Sequence, residues 1–292
     1  METMAHADRL PVARLMGGIP PTALVLLGIV SVQVGAAFAK QLFTVAGAAG
    51  TVTLRLVVAA IVLVAIWRPS LRMDRRTLVV VASYGVVLGA MNLFFYAALE
   101  RIPLGAAVTI EFLGPLAVAV AGSRRWLDGV WVLLAGAGVV LLTRVQGGLL
   151  WTGVLFALAA GACWAGYILL AAKLGSKTND GKGLALAMVV GSLIALPFGI
   201  SSAGTAMLDP VVLAAAAAVA LMSSVIPYSL ELEALRRMPP RVFGILMSME
   251  PAVAALAGLV LLGEQLKPAQ WVAVCCVVIA SVGATRSARP DV

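Results

Sequence analysis

Ten apolar runs of about 20 residues, joined by short polar links, restrict this chain more than anything else in it. They lie near 21–39, 46–66, 78–99, 103–122, 127–143, 149–171, 183–201, 211–233, 241–262 and 269–285. At about 1.5 Å per residue, a helix of that length crosses a bilayer core of about 30 Å. The runs are continuous and rich in Leu, Ala, Val and Gly, whereas the strands of a membrane barrel are short and alternate polar with apolar residues. The expected fold is therefore an all-α membrane protein of ten transmembrane helices. Composition agrees: 62% of the chain is hydrophobic and 12% charged, against about 25% charged in a soluble domain.

The net charge of +8 suits nucleic acid in a soluble protein. Here the Lys and Arg residues fall between apolar runs, so their distribution reads as topology, with no nucleic-acid partner. Sixteen lie on one side of the alternation and four on the other, and Arg55 lies inside the second run. The bias puts both termini in the cytoplasm, with tails at 1–18 and 287–292. The first run, from about Pro21 to Ala39, exceeds the roughly 7–15 residues of a signal-peptide core, so no cleavage is expected.

Two stretches echo each other. Ala98-Leu99-Glu100-Arg101-Ile102-Pro103 precedes a run containing Glu111, Gly114 and Pro115. Ala234-Leu235-Arg236-Arg237-Met238-Pro239 precedes a run containing Gly244, Glu250 and Pro251. In both, the second proline follows the first by twelve residues. The first echo falls between runs three and four, the second between runs eight and nine. Because five is odd, two five-helix units in tandem, 19–145 and 146–286, must be inverted relative to each other. Inverted repeats suit alternating access around a site near the midplane.

Glu250 and Glu111 are the first candidates for chemistry. A carboxylate in hydrocarbon is costly and is a functional hypothesis by default. Each stands beside a proline that removes a backbone hydrogen bond and bends the helix. Either residue could carry a proton or bind a substrate amine; the plainer role is tying helices together. Aligning the prolines puts Glu111 opposite Met247 and Gly114 opposite Glu250, so the repeat keeps a backbone feature better than a charge.

Arg55 could pair with a buried Glu, hold a substrate carboxylate, or snorkel to the membrane surface. Glu231 shares a helix face with Tyr228 beyond Pro227, which makes it a cavity candidate, whereas Glu233 reads as interfacial. Asn92 with Tyr96, Gln33, and Trp164 with Tyr167 could line polar stripes or simply pack helices. Pro115, Pro251, Gly114, Gly244 and Pro227 are the expected hinges. The spacings Gly85/Gly89 and Gly161/Ala165 permit close helix approach.

Enzyme signatures are missing from the sequence. There is one His, His6, no HExxH, and no Gly-rich phosphate loop. Cys163, Cys275 and Cys276 lack zinc-ligand spacing and sit in apolar runs. No metal or cofactor is expected.

Several motifs together carry a family resemblance. They are Gly89-Ala90-Met91-Asn92 with Phe95-Tyr96, Pro103-Leu104-Gly105, Glu111-Phe112-Leu113-Gly114-Pro115 and Ser123-Arg124-Arg125. The second half adds Gly161-Ala162-Cys163-Trp164-Ala165, Pro227-Tyr228-Ser229-Leu230-Glu231, Ser248-Met249-Glu250-Pro251 and Leu262-Gly263-Glu264. Over nearly its whole length the chain resembles the drug/metabolite transporter superfamily with EamA-type repeats. The resemblance implies two inverted five-helix repeats and export of small amino acids such as threonine or homoserine, driven by protons. Export of another metabolite or of hydrophobic cations is the alternative it leaves open.

Overall fold

The computed structural model describes residues 18–69, 73–121, 126–144, 150–175, 182–235 and 237–287. Among these, every regular element is helical. They are α1 (Pro21–Trp67), α2 (Arg75–Leu99), α3 (Leu104–Glu111), α4 (Leu113–Ala121), α5 (Trp126–Arg144), α6 (Trp151–Gly175) and α7 (Lys182–Ala203). A short 3-10 turn (Gly204–Leu208) then leads to α8 (Pro210–Ala220), a π turn (Leu221–Val225), α9 (Ile226–Leu235), α10 (Pro240–Met247), α11 (Glu250–Leu262) and α12 (Pro268–Ser287).

Eight of the described helical stretches are long and apolar enough to cross a membrane, and Gly129–Leu142 in α5 is a shorter apolar one. The chain is a multi-pass membrane protein. Large apolar side chains such as Ile61, Leu133, Leu155 and Val260 face outward, as they do where lipid is the solvent.

The sequence predicted separate runs at 21–39 and 46–66. The structure instead continues helix through 40–45 and interrupts α1 at Gly47, whose φ of 66° and ψ of 169° lie outside helical space. A glycine takes that conformation without a Cβ clash. Thr51 Oγ1 donates to Gly47 O at 2.7 Å and so satisfies a carbonyl beside the break.

The runs predicted at 103–122 and 241–262 are each broken in two. In both, a proline caps an eight-residue helix, α3 or α10, which stops one or two residues before the next begins. Pro251 sits in the first turn of α11, where its missing N–H costs nothing. A further irregularity, the π turn, ends two residues before Pro227. The proline ring would press on the carbonyl four residues back, at Ser223, and a widened turn relieves that contact.

Small residues bring the helices together, as expected where packing rather than water exclusion drives association. Methyl groups added at Gly85 and Gly89 on α2 would strike Ala187 O and Gly191 O on α7 at 2.5 and 2.9 Å. One added at Gly114 would stand 2.0 Å from Gly161 O on α6, and one at Gly161 would stand 2.7 Å from Glu111 O. The α3–α4 break is therefore clamped against the backbone of α6. Gly105 on α3 likewise packs against Ala255 on α11.

Candidate functional site

The irregular segments surround one cavity of about 560 Å³. It is lined by Gln33 and Arg55 from the two arms of α1, Asn92 from α2, and Glu111 and Pro115 from the α3–α4 pair. Trp164 and Tyr167 come from α6, Ser223 from the π turn, and Tyr228 and Glu231 from α9. Gly244 on α10, Glu250 on α11 and Ser281 on α12 complete the polar wall. Met91, Phe95, Phe112, Phe243 and Met247 supply apolar surface.

Gln33 and Glu250 form one polar pair. Gln33 Nε2 donates to Glu250 Oε1 at 3.0 Å across helices 217 positions apart in sequence. Gln33 Oε1 and Glu250 Oε2 are buried with no hydrogen-bond partner among the described residues. A buried acceptor left unpaired costs roughly 1–3 kcal/mol, which makes these atoms candidates for contact with a bound molecule.

Arg55, 7% exposed, is buried inside the bundle. Its guanidinium donates to Asn92 Oδ1 and lies over the Tyr96 ring, 5.1 Å from its centre. Asn92 is itself held by donation to Leu88 O at 2.8 Å. Arg55 Nε and the Tyr96 hydroxyl have no partner among the described residues. A guanidinium on an aromatic face is held in place without its donors being used up.

Glu111, 7% exposed, closes α3 at the break, and Glu250, 8% exposed, opens α11. Glu231 lies against Gly28 of α1, where a methyl would stand 3.8 Å from Glu231 Oε1. Trp164 meets Phe112 edge-on with ring centres 5.4 Å apart, and Tyr167 stacks on Tyr84 at 4.8 Å. Among the described residues no group of three or more His, Cys, Asp or Glu is placed to hold a metal ion.

Nine of the ten side chains singled out in the sequence line this cavity: Glu250, Glu111, Arg55, Glu231, Asn92, Tyr228, Trp164, Tyr167 and Gln33. Tyr96 does not; it is fully buried beneath Arg55. Of the expected hinges, Pro115 and Gly244 line the cavity, whereas Gly114, Pro251 and Pro227 are buried in the packing around it. Glu233 pairs with Arg237 one turn on, away from the cavity; Arg236, expected beside it, lies outside the described residues.

Ser223, Ser281 and Thr285 were not foreseen. Single hydroxyls in apolar runs are too common to stand out, and Ser223 owes its position to the π turn, which has no sequence period.

The arrangement has relatives. The chain is 42% identical over 275 residues to the threonine/homoserine exporter RhtA of Escherichia coli (strain K12), covering 93% of each chain. It is 41% identical over the same length to the exporter of that name from Salmonella typhimurium (strain SL1344), again with 93% of each covered. Residues 151–286 match the EamA-like transporter family. The chain belongs to that family. Its members are transporters, not enzymes. A protein of known crystal structure, 19% identical, shares the fold over 91% of this chain and 97% of its own, with a TM-score of 0.56.

Proposed function

We propose that this protein exports threonine, homoserine or a similar small amino acid across a bacterial inner membrane, by alternating access and in exchange for protons. The observation that carries this reading is one cavity in which three carboxylates, Glu111, Glu231 and Glu250, share the walls with a single guanidinium, Arg55. A zwitterion needs a partner for each charge. Glu250 Oε2 and Gln33 Oε1 are unused acceptors for an ammonium, and Arg55 Nε is an unused donor for a carboxylate. The names of relatives that are over 40% identical across 93% of the chain favour hydroxylated amino acids as substrate.

In this reading Glu250 and Glu111 alternate between substrate and proton, and Glu231 stands on the path between them and the cytoplasm. Asn92 and Tyr96 hold Arg55 in place, while Trp164 and Tyr228 shape the walls. The breaks at Gly114–Pro115 and Gly244–Pro251, and the π turn before Pro227, are where the helices bend. Ten helices in two inverted repeats, 19–145 and 146–286 with cytoplasmic tails at 1–18 and 287–292, provide the frame. Three features support that count. A helix of 47 residues would extend about 70 Å at 1.5 Å per residue, too long for one crossing. Its break at Gly47 divides it into two arms of spanning length. The paired breaks after Pro103 and Pro239 recur in the two halves.

Purified protein in liposomes with an imposed pH gradient should accumulate labelled threonine, with homoserine competing. Glu250→Gln should abolish gradient-driven accumulation, and a normal rate in that variant would remove the carboxylate from the mechanism. A second reading, export of hydrophobic cations, draws on the excess of carboxylates over guanidinium and on the aromatic walls Phe95, Phe112 and Trp164. Competition by a cationic dye without competition by homoserine would select it.

A further inference from the structure

In several of the membrane-crossing stretches that reach the cavity, the lining residues extend toward one end of the bundle. On α6 they are Trp164, Tyr167 and Ile168, more than a dozen residues past its start at Trp151. On α12 they are Ser281 and Thr285, again well past the start at Pro268. On the α10–α11 pair they run from Phe243, one turn past the start at Pro240, only as far as Glu250, leaving the rest of α11 outside the lining, and this pair runs the opposite way. Leu235, at the last turn of α9 and exposed, marks where the cavity reaches the surface.

At the other end lies a polar cluster whose residues are not part of the cavity lining. Lys40 Nζ meets Glu264 Oε1 at 2.6 Å and also donates to Ile102 O at 3.0 Å. The second oxygen of Glu264 accepts from Leu104 N, the first residue of α3, at 2.7 Å. The side chains of Lys40 and Glu264 are 23% and 16% exposed. Lys40, Ile102 and Leu104 belong to the first half of the chain and Glu264 to the second.

The local fold is built to place that carboxylate. Gly263 ends α11 with φ of 66°, and Glu264 N bonds back to Gly258 O at 3.0 Å. The turn lays Glu264 over Gly258, where a methyl would stand 2.6 Å from Oε2. A larger residue there would push the carboxylate aside.

We infer that Lys40 and Glu264 form an ionic latch that holds the end of the bundle opposite the cavity mouth closed. Parting α11 from the Ile102–Leu104 hinge requires breaking a charge-assisted pair and a carboxylate–amide bond together. Water replaces both when the end opens, so the latch adjusts the balance between two states and does not lock one. The inference rests on the alternating-access part of the proposed function and is independent of the substrate.

Hydrogen exchange on the full chain in lipid nanodiscs, without substrate, tests it. Lys40→Met removes the cation. Glu264→Gln keeps the size and an acceptor oxygen, so it removes the charge while preserving the local fold. In both variants, amides of 98–106 and 258–267 should exchange faster, by about tenfold for a charge-assisted bond. Amides of 242–249, at the cavity mouth, should exchange more slowly, because opening one end closes the other. Unchanged exchange at 98–106, or faster exchange at both ends, overturns the latch. Threonine flux in liposomes is measured separately. Opposite changes at the two ends without threonine flux leave the latch standing and refute the substrate, and flux with flat exchange does the reverse.

Discussion

The two broken helices have the same plan and different surroundings. α3 and α10 each run eight residues from a capping proline, and each stops just before a second proline-bearing helix. At the first break, Gly114 lies against Gly161 O, so α6 presses on the opening and the carboxylate stands three residues earlier, at Glu111. At the second, the position equivalent to Gly114 is Glu250, which reaches Gln33 on α1. The repeat has kept the backbone interruption and moved the charge. Symmetry accounts for where the chain can bend, and the departure from symmetry determines what the bend holds.

The largest effect should come from filling the clamped break. Gly114→Leu forces a side chain into the backbone of Gly161, with no flexible neighbour to yield. Overpacking a core costs about 1–3 kcal/mol even where side chains can shift, and backbone contact should exceed that. The variant should fail to purify as a monodisperse protein or should melt far below the parent in a detergent thermal scan. Gly244→Ala at the second break meets only the flexible methyl end of Thr285, 3.1 Å away, and should melt close to the parent. Equal losses at the two sites would erase the contrast between the breaks.

Next come the carboxylates. Glu250→Gln keeps the shape and removes the charge, and should lower gradient-driven threonine flux on the order of a hundredfold, the equivalent of one lost interaction with a buried charge. Glu111→Gln should lower it less, because among the described residues no amide side chain pairs with Glu111 as Gln33 pairs with Glu250 beside an unused oxygen. Flux assays on both variants with matched protein levels decide this. A larger loss at Glu111 would invert the proposed division of labour.

Much of this was readable before the structure, and the reasons are physical. A membrane allows few backbone solutions, so run length and Lys/Arg placement already required helices. Carboxylates such as Glu111 and Glu250 are conspicuous because hydrocarbon penalises them, and the recurrent proline spacing marked the breaks. Three things were not readable. The sequence placed the interruption of α1 at the polar link that begins with Lys40, whereas the break falls at Gly47, which Ala46, Ala48, Ala49 and Gly50 surround, so its place could not be distinguished from that of neighbouring small residues. Glu264 was noted only within a family motif, because its meaning depends on Lys40 and Leu104, far away in sequence. Tyr96 shares a polar stripe with Asn92 by spacing, yet packing turns its ring beneath Arg55 and away from the cavity.

A narrower probe of the same contrast is the amide that distinguishes Glu250. Gln33→Leu deletes the 3.0 Å bond to Oε1 while keeping the volume. Losing one charge-assisted hydrogen bond should reduce flux about tenfold, with KM rising more than the maximal rate falls, because the carboxylate remains but is no longer aimed. Gln33→Glu puts a second carboxylate beside the first and should be worse than Gln33→Leu. The ranking of the two variants separates positioning from simple cavity shape, which would favour the isosteric Glu.

The smallest effect belongs to the hydroxyls that tie the second break to its neighbour. Ser248 Oγ lies 2.9 Å from Gly244 O, to which it donates, and 2.7 Å from Ser281 Oγ, joining the end of α10 to α12. Such bonds in membrane proteins average about 0.6 kcal/mol, because a helix already in lipid finds other partners. Ser248→Ala should therefore lower the melting temperature only slightly. It should still widen the α10–α12 contact, since Ser281 also lines the cavity. Ser248→Ala and Ser281→Ala combined should cost little more than either alone, because each single change already removes the shared bond. An additive double variant would mean that the two hydroxyls act separately, and that the second break is held by packing in the same way as the first.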